Sequence, residues 1–258
     1  MSPQKEKTLA REDILVGIHA VTSALKSAAG DITWLRIAND SKNKRLAELE
    51  SRAHGSSIKI QKVSKNELDR LSGQQRHQGV VAGFTGSNVS AEGRLDAVLD
   101  AVEGDALILV LDGVQDPQNL GACLRTADAA GVDLVITCKD RSAGITAVVR
   151  RAASGAAETL QVIQATNLAR VLRTLKQRGI WLAGTTDQAN DSLYNTDLTG
   201  PLALIMGSEG SGMRRLTTEL CDYLISIPMV GGVESLNVSV ASGVCLYEIN
   251  RQRQVKSL

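Results

Sequence analysis

Short apolar runs alternate with segments of helical spacing along the chain after about residue 103. Each run is nearly continuous in apolar residues, which is typical of strands that helices cover on both faces. Such alternation predicts an α/β domain with a mostly parallel sheet. The predicted strands are 107–111, 134–137, 160–163, 180–184, 202–206 and 224–227.

A smaller α/β pattern precedes it. Residues 1 to about 12 lack periodicity and are expected to form a loose tail, so structure should begin at Val16. Ser64 and Glu67 have the spacing of a capping box, which predicts the start of a short helix. The predicted helices are 18–29, 42–54 and 64–71, and the predicted strands are 32–38, 57–63 and 78–84.

The composition changes between the two patterns. Residues 85–92, TGSNVSAE, are rich in Gly, Ser, Asn and Thr, as linkers often are. We therefore predict an N-terminal domain at 1–84, a linker at 85–102 and a C-terminal domain at 103–258.

Composition narrows the class of protein. With 258 residues, 43% of them hydrophobic and 22% charged, the chain is ordinary for a globular protein. It has neither an apolar stretch of the roughly 20 residues that a membrane span needs nor a signal sequence, so we expect a cytoplasmic protein without membrane contact. The four cysteines lie far apart within apolar patterns, which favours reduced core residues over disulfides or metal ligands; they are Cys123, Cys138, Cys221 and Cys245.

The two predicted domains differ in net charge. Residues 1–84 contain 14 Lys and Arg against 9 Asp and Glu, a net charge of +5, and the rest of the chain carries −4. This excess is expected if the N-terminal domain binds a polyanion, and equally if surface charges vary by chance.

Polar loops follow three of the predicted C-terminal strands. Ligand sites in parallel sheets gather at the carboxyl ends of strands, so these loops are expected to meet at one crevice. The candidate residues there are Asn119, Arg125, Glu209, Ser235 and Asn237.

Simpler roles remain open for several of these residues. Asp116 and Asn119 could cap the helix that starts nearby, Ser235 could also be a cap, and Arg125 could be a surface or ion-paired residue. The loop 207–212, GSEGSG, is neither GxGxxG nor GxxxxGK[ST], which argues against a dehydrogenase or an NTPase. No Ser-His-Asp triad is supported, because all three histidines precede residue 85. This inventory of donors and acceptors suits the orientation of two substrates for group transfer.

Three segments taken together, NLGACLR, IMGSEGSGMRR and SIPMVGGVESLNVSVASG, resemble the signature motifs of the SpoU (TrmH) ribose 2′-O-methyltransferases of the SPOUT superfamily. NxGxxxR, MGxEGxGM and IPMxGxxxSLNVSxA occur in the family's order with compatible separations, so the combination is specific. VGIHAV near the start and HQGVVA before the linker extend the resemblance over nearly the whole chain. They resemble the bacterial members that methylate a guanosine of 23S rRNA.

The resemblance implies a cofactor, a fold and an assembly. S-adenosylmethionine would be the methyl donor, held largely by backbone groups at Gly207, Ile227 and Leu236. The C-terminal domain would contain a deep trefoil knot, which periodicity does not predict and general topology disfavours. The N-terminal domain would be an L30e-like RNA-binding domain, and the protein would be a homodimer with its site near the subunit interface.

The resemblance also implies an activity. A methyl group would pass to the ribose 2′-hydroxyl of a guanosine in 23S rRNA, with all five candidate residues at catalytic positions. Because a guanidinium stays protonated in nearly all settings, we expect Arg125 to position and polarise the hydroxyl rather than to remove its proton. The alternatives are a non-catalytic RNA-binding factor in ribosome assembly and the same chemistry on tRNA.

Overall fold

The computed structural model describes residues 13–27, 29–39, 43–56, 58–85 and 89–256. The chain divides into two compact units, Met1–Ser87 and Asn88–Leu258, and each has its own sheet and hydrophobic core. Within the described ranges, no helix is both long enough and apolar enough to cross a membrane.

Three helices and a four-stranded sheet form the first unit. In chain order they are β1 (Asp13–Val16), α1 (Ile18–Ser27), β2 (Ile32–Ala38), α2 (Lys44–Gly55), β3 (Ile60–Val63), α3 (Lys65–Leu71) and β4 (Val80–Phe84). The strand order is β1-β4-β2-β3, with β4 antiparallel to both neighbours and β2 parallel to β3. All five residues of β4 are buried, as expected of an inner strand.

The predicted order of elements in this unit is confirmed except at its start. Strand β1 is absent from the prediction, because its four residues adjoin a segment without periodicity. The capping residue is correct: the Oγ of Ser64 accepts a hydrogen bond from the backbone N–H of Glu67 at 3.3 Å. The predicted tail, residues 1–12, lies outside the described residues.

Eight strands and six helices are described in the second unit. They are β5 (Val89–Ala91), α4 (Leu95–Asp100), β6 (Leu107–Asp112), α5 (Pro117–Ala129), β7 (Leu134–Cys138), α6 (Ala147–Ala153), β8 (Gln161–Ala165), α7 (Leu168–Gln177), β9 (Trp181–Thr185), β10 (Asp191–Ser192), β11 (Leu202–Gly207), α8 (Arg215–Leu220), β12 (Tyr223–Ser226) and α9 (Val238–Lys256). The strand order is β10-β12-β9-β11-β6-β7-β8-β5, and every neighbouring pair is parallel. The prediction of an α/β domain with a parallel sheet is confirmed.

Regular structure occupies much of the segment 85–102, the predicted linker. Strand β5 pairs with β8 at the end of the sheet, and α4 buries Leu95 and Leu99 in the core of the second unit. Strand β5 is only three residues long, so no local periodicity marks it.

Hydrophobic cores cover both faces of the large sheet. Because successive side chains of a strand point to opposite faces, Leu109 and Leu111 of β6 join one core, whereas Ile108 and Val110 join the other. Helices α5, α6 and α9 contribute to the first core, and α4 and α7 contribute to the second. Burial on both faces explains the continuous apolar runs in the sequence.

Strand β6 lies where the chain changes direction across the sheet. From β6 the chain moves outward through β7 to β8, and it then crosses to β9 on the far side of β11. The carboxyl ends of β6 and β11 are therefore neighbours, with Asp112 opposite Gly207. Ligands of open parallel sheets bind at such switch points, so the loops after these strands frame the candidate site.

Helices α5 and α6 approach each other closely at Gly121. A Cβ atom added there would lie 2.4 Å from the Cβ of Ala152 and 2.7 Å from the carbonyl oxygen of Val149. Glycine is required by this packing, although it weakens a helix interior.

We expect Gly121→Ala to lower the free energy of unfolding by about 1 to 3 kcal/mol, because the overpacked helices must shift. The matched control is Gly243→Ala in α9, where the added methyl would meet the Cγ2 of Thr126 at an ordinary 3.5 Å. This control should be neutral or stabilising by up to about 1 kcal/mol. Chemical denaturation of both variants measures the difference, and equal stabilities would contradict the packing argument.

All four cysteines are free thiols, three of them buried and Cys221 half-buried, as predicted. Burial raises the pKa of Cys123 to about 11 and the pKa values of Cys221 and Cys245 to about 12. Burial also raises the pKa of Cys138. A raised pKa disfavours the thiolate, which is the reactive form.

The native protein should therefore react slowly with a thiol reagent at pH 8, where a pKa of about 11 leaves roughly one thiol in a thousand ionised. Native reactivity should rise only as the pH approaches these pKa values. Titration with a chromogenic disulfide measures the thiol reactivity of the native and of the denatured protein. In the denatured chain all four thiols should react promptly at pH 8. Fast labelling of the native chain at pH 8 would count against the burial.

Candidate active site

Helix α5 begins with a side-chain cap directly after β6. The Oδ1 of Asp116 accepts a hydrogen bond from the backbone N–H of Gln118 at 2.9 Å, and Pro117 occupies the first turn. The capping alternative is therefore correct for Asp116. It is not correct for Asn119, whose side chain instead binds two residues from distant segments.

Three of the five candidate residues form one hydrogen-bonded group, which we call the amide–carboxylate cluster. The Nδ2 of Asn119 donates to the Oε1 of Glu209 at 2.7 Å, and the Nδ2 of Asn237 donates to the same oxygen at 2.9 Å. The Nδ2 of Asn237 also donates to the Oδ1 of Asn119 at 3.0 Å. The cluster thus joins the loop after β11 to the starts of α5 and α9.

The side chain of Asn237 is fixed from both ends. Its Oδ1 accepts hydrogen bonds from the backbone N–H and the hydroxyl of Ser239 at 2.9 and 2.6 Å, which caps α9. Its Nδ2 therefore faces the carboxylate of Glu209, a group that can only accept when ionised. Hydrogen bonds to a charged acceptor are the stronger kind, so the amides hold Glu209 without an ion pair.

Gly207 allows the loop after β11 to fold back on the strand. A Cβ atom there would lie 2.2 Å from the carbonyl carbon of Gly212 and 2.3 Å from the nitrogen of Met213. Backbone hydrogen bonds of 3.0 and 2.9 Å join Ser208 and Gly212 in both directions. The tight turn leaves Glu209 exposed near its tip.

Asp112, the buried last residue of β6, is a site residue that the sequence analysis misses. Its Oδ2 accepts a hydrogen bond from the backbone N–H of Arg214 at 2.9 Å, and its Oδ1 lies 3.2 Å from the Nε of Arg214. These contacts hold the end of the 208–214 loop against β6. The sequence signal for this residue was an aspartate at the end of the otherwise apolar strand LILVLD, because a buried charge is expected to have a partner.

Arg125 lies outside the amide–carboxylate cluster. It is exposed on α5, about 9 Å along the helix axis from Asn119. Within the described part of the chain its guanidinium has neither an acidic partner nor a hydrogen bond, and its exposure fits the surface alternative. An unpaired guanidinium is available to an anionic ligand.

An open segment follows β12. From residue 228 to residue 236 the backbone makes no hydrogen bond to any described residue. Ile227 and Leu236 at its ends are half-buried, and Ser235 is exposed without a side-chain hydrogen bond in the described structure. Free N–H and C=O groups of this kind can hold a ligand through the main chain.

The arrangement is suited to binding and orientation. It offers a fixed carboxylate, oriented amides, a free guanidinium and open backbone groups, but no nucleophile beside a general base. In the described ranges, no group of three or more His, Cys, Asp and Glu residues could hold a metal ion. Positioning two substrates for direct transfer needs only what is present.

Two family models match the chain: RNA 2′-O ribose methyltransferase substrate binding at residues 14–89, and the SpoU rRNA Methylase family at residues 106–247. The 23S rRNA (guanosine-2′-O-)-methyltransferase RlmB from Ralstonia nicotianae is 51% identical over 96% of this chain and 98% of its own length. The solved structure of the SpoU methyltransferase AviRb from Streptomyces viridochromogenes has a TM-score of 0.80 and 25% identity, covering 98% of this chain and 94% of that one.

A second structure of AviRb, in complex with the cofactor AdoMet, has a TM-score of 0.78 and 24% identity over 98% of this chain and 95% of that one, so it shares the fold. The methylase family model covers more than half of the 258 residues, and the relative from Ralstonia is similar over nearly the whole length of both chains. The chain therefore belongs to the SpoU rRNA methylase family.

Proposed function

We propose that this protein transfers a methyl group from S-adenosylmethionine to the ribose 2′-hydroxyl of a guanosine in 23S rRNA. The amide–carboxylate cluster is the observation that carries the proposal, because the three motif-bearing segments of the family meet there at the switch point of the sheet. The relative from Ralstonia, whose name states this reaction, matches this chain almost from end to end.

Gly207, Ile227 and Leu236 are the proposed contacts for S-adenosylmethionine. The free backbone groups of residues 228–236 and the glycine that closes β11 fit a ligand held by the main chain. When bound, S-adenosylmethionine supplies an electrophilic methyl group.

Arg125 is the proposed positioning group for the ribose. Transfer requires the hydroxyl oxygen to be aligned at about 3 to 3.5 Å from the carbon that it attacks. A guanidinium cannot act as a base, but its planar donors can bind the adjacent phosphate and polarise the hydroxyl. The proton then leaves to phosphate or water. We assign Asn119, Glu209 and Asn237 to holding the loops and the nucleotide, and Ser235 to orienting the ribose.

We propose that the first unit is an L30e-like domain that binds the RNA. Its excess of positive charge and its match to a substrate-binding family support this role. Aromatic residues make up only 2% of the chain, so phosphate contacts and shape should contribute more than base stacking.

A deep trefoil knot in the second unit is part of the proposal. Strand β12 lies beyond β9, yet α9, which follows it, packs in the same core as α5. The connection between β9 and β11 lies against α9: the Nε2 of Gln252 donates to the carbonyl of Thr196 at 3.2 Å, and its Oε1 accepts from the N–H of Leu198 at 2.9 Å. A helix that contacts an earlier connection in this way supports a threaded chain, despite the general rule against knots.

We also propose a homodimer in the cytoplasm. Helix α9 buries one side in the core, yet its opposite side exposes Val240, Tyr247 and Val255. A helix that is apolar on both sides favours a second buried contact, and a second copy of the chain would supply it.

Methyl transfer from labelled S-adenosylmethionine to 23S rRNA, taken from cells that lack this protein, tests the proposed reaction. We expect incorporation at one guanosine, identified by its resistance to alkaline cleavage. Transfer to tRNA alone would overturn the choice of substrate. Transfer to none of 23S rRNA, 16S rRNA or tRNA would favour the non-catalytic assembly factor.

In the same assay, Arg125→Lys should reduce kcat/KM by about 100-fold, because an ammonium lacks the planar fork. Arg173→Lys on the exposed side of α7 is the matched control. Near-normal turnover by Arg125→Lys would refute the role given to its geometry.

Glu209→Ala should lower kcat/KM by about 10-fold to 100-fold, because both amides of the cluster lose their charged acceptor and the loop loses its tie to α5 and α9. Stability should change by less than about 1 kcal/mol, since Glu209 is exposed. Glu219→Ala, which removes an exposed carboxylate on α8 that pairs with Arg215, is the control for the loss of charge. Equal activities of the two variants would remove the cluster from the mechanism.

A further inference from the structure

The first unit contains a cavity of about 730 Å³ that no step of the proposed reaction uses. It lies beside the end of β2, the start of α3 and the loop that leads into β4. Twelve described residues line it, six of them at positions 74–79. Half of the described lining therefore comes from the loop of residues 72–79.

This loop has an unusual backbone. Gln74 and Gln78 have φ values of 63° and 52°, in the left-handed region that glycine favours, and Gly73 and Gly79 are left-handed as well. The hydroxyl of Ser72 donates to the carbonyl oxygens of Asp69 and Gln75, which braces the turn. Strained backbone that its surroundings hold in place is concentrated at ligand sites.

His77 gives the cavity a rigid wall. The Nδ1 of His77 accepts a hydrogen bond from the N–H of Gly79 at 3.0 Å, so its Nε2 carries the proton and donates to the Oδ1 of Asp69 at 3.1 Å. Both ring nitrogens are thus engaged. Asp69, the only carboxylate among the described lining residues, is also occupied by this contact.

Gln75 lines the cavity and carries an unsatisfied polar atom. Its Oε1 is buried without a partner, and its side chain makes no other hydrogen bond in the described structure. Gln78 differs, because its Oε1 accepts a hydrogen bond from the N–H of Ile18 and so supports the start of α1. An unsatisfied buried acceptor is costly, and a ligand group that donates a hydrogen bond would satisfy it.

Two cations line the same cavity. Lys65 and Arg76 are exposed, and among the described residues neither has an acidic partner. Ala38 and Val63 add an apolar surface. Amide, cationic and apolar groups together match the three parts of a nucleotide: base edge, phosphate and base face.

We propose that this cavity binds one unpaired nucleotide of the RNA substrate, with the carboxamide of Gln75 on the base edge and with Lys65 and Arg76 on the flanking phosphates. The inference rests on the proposed function, because it assumes an RNA substrate. A base must leave its helix to enter a concave site, so the cavity selects a loop or a bulge. The first unit would then recognise one specific nucleotide of the RNA, in addition to the attraction between its positive charge and the phosphates.

Matched charge changes on the full-length protein test this proposal with 23S rRNA transcribed in vitro. Gln75→Glu keeps the shape of the side chain, removes its donor and adds a negative charge; Gln61→Glu adds the same charge at an exposed position on β3. We expect Gln75→Glu and Arg76→Ala to raise the RNA dissociation constant and KM by at least 10-fold, with kcat within twofold. Gln61→Glu and Arg52→Ala, a control on α2, should stay within twofold of wild type.

Several outcomes would overturn the proposal. Equal losses in Gln75→Glu and Gln61→Glu would indicate a general field effect, and wild-type binding by Gln75→Glu and Arg76→Ala would exclude the cavity. Loss of binding to assembled ribosomal particles but not to naked rRNA would make the ligand a ribosomal protein.

Thermal melting and affinity for S-adenosylmethionine, which should match wild type in all variants, exclude misfolding, and Gln75→Ala provides an uncharged second variant. The proposed function fails separately, if the wild-type protein binds rRNA but does not methylate it.

Discussion

The parallel pairing of β6 with β11 is the contact on which the candidate site depends. Its register sets Asp112 beside Gly207, so the two strands end together near the middle of the sheet. Both faces of these strands are buried, and a shift of one residue would move every side chain to the wrong face. Hydrophobic burial therefore fixes the points from which the two loops start, and the hydrogen bonds of the cluster refine an arrangement that packing has already set.

The two carboxylates of the site are stabilised by different kinds of contact. The carboxylate of Asp112 is buried and paired with Arg214, whereas the carboxylate of Glu209 is exposed and held by two neutral amides. Neither arrangement uses Arg125, whose guanidinium has no partner among the described residues and can therefore bind an anionic ligand. A nucleic acid carries a negative charge at every phosphate. Unpaired cations can bind these phosphates without breaking an ion pair within the protein. The same division appears in the described part of the first unit, where Asp69 is occupied by His77 while Lys65 and Arg76 have no acidic partner.

Local patterns predict elements well where burial or capping is strong. The six predicted strands of the second unit are correct, and in all of them except β12 most residues are buried. The starts of α3 and α5 follow from Ser64 and from Asp116 with Pro117. Strands β5 and β10 are absent from the prediction because they have only three and two residues and depend on pairing with distant strands. Strand β1 is absent because it adjoins a segment without periodicity. Asp112 is missed for a related reason: its partner, Arg214, lies 102 positions away in the sequence.

The sequence by itself determines the α/β class, the parallel sheet and the three polar loops at its carboxyl edge, because apolar periodicity and turn residues are local properties. Which candidates meet is decided only by tertiary structure. Asn119, Glu209 and Asn237 come together, whereas Arg125 lies farther along α5 and the side chain of Ser235 makes no hydrogen bond within the described residues. The unsatisfied amide of Gln75 is likewise visible only in the folded first unit. These outcomes depend on strand order and on hydrogen bonds between residues 28 to 118 positions apart, and no local pattern encodes either.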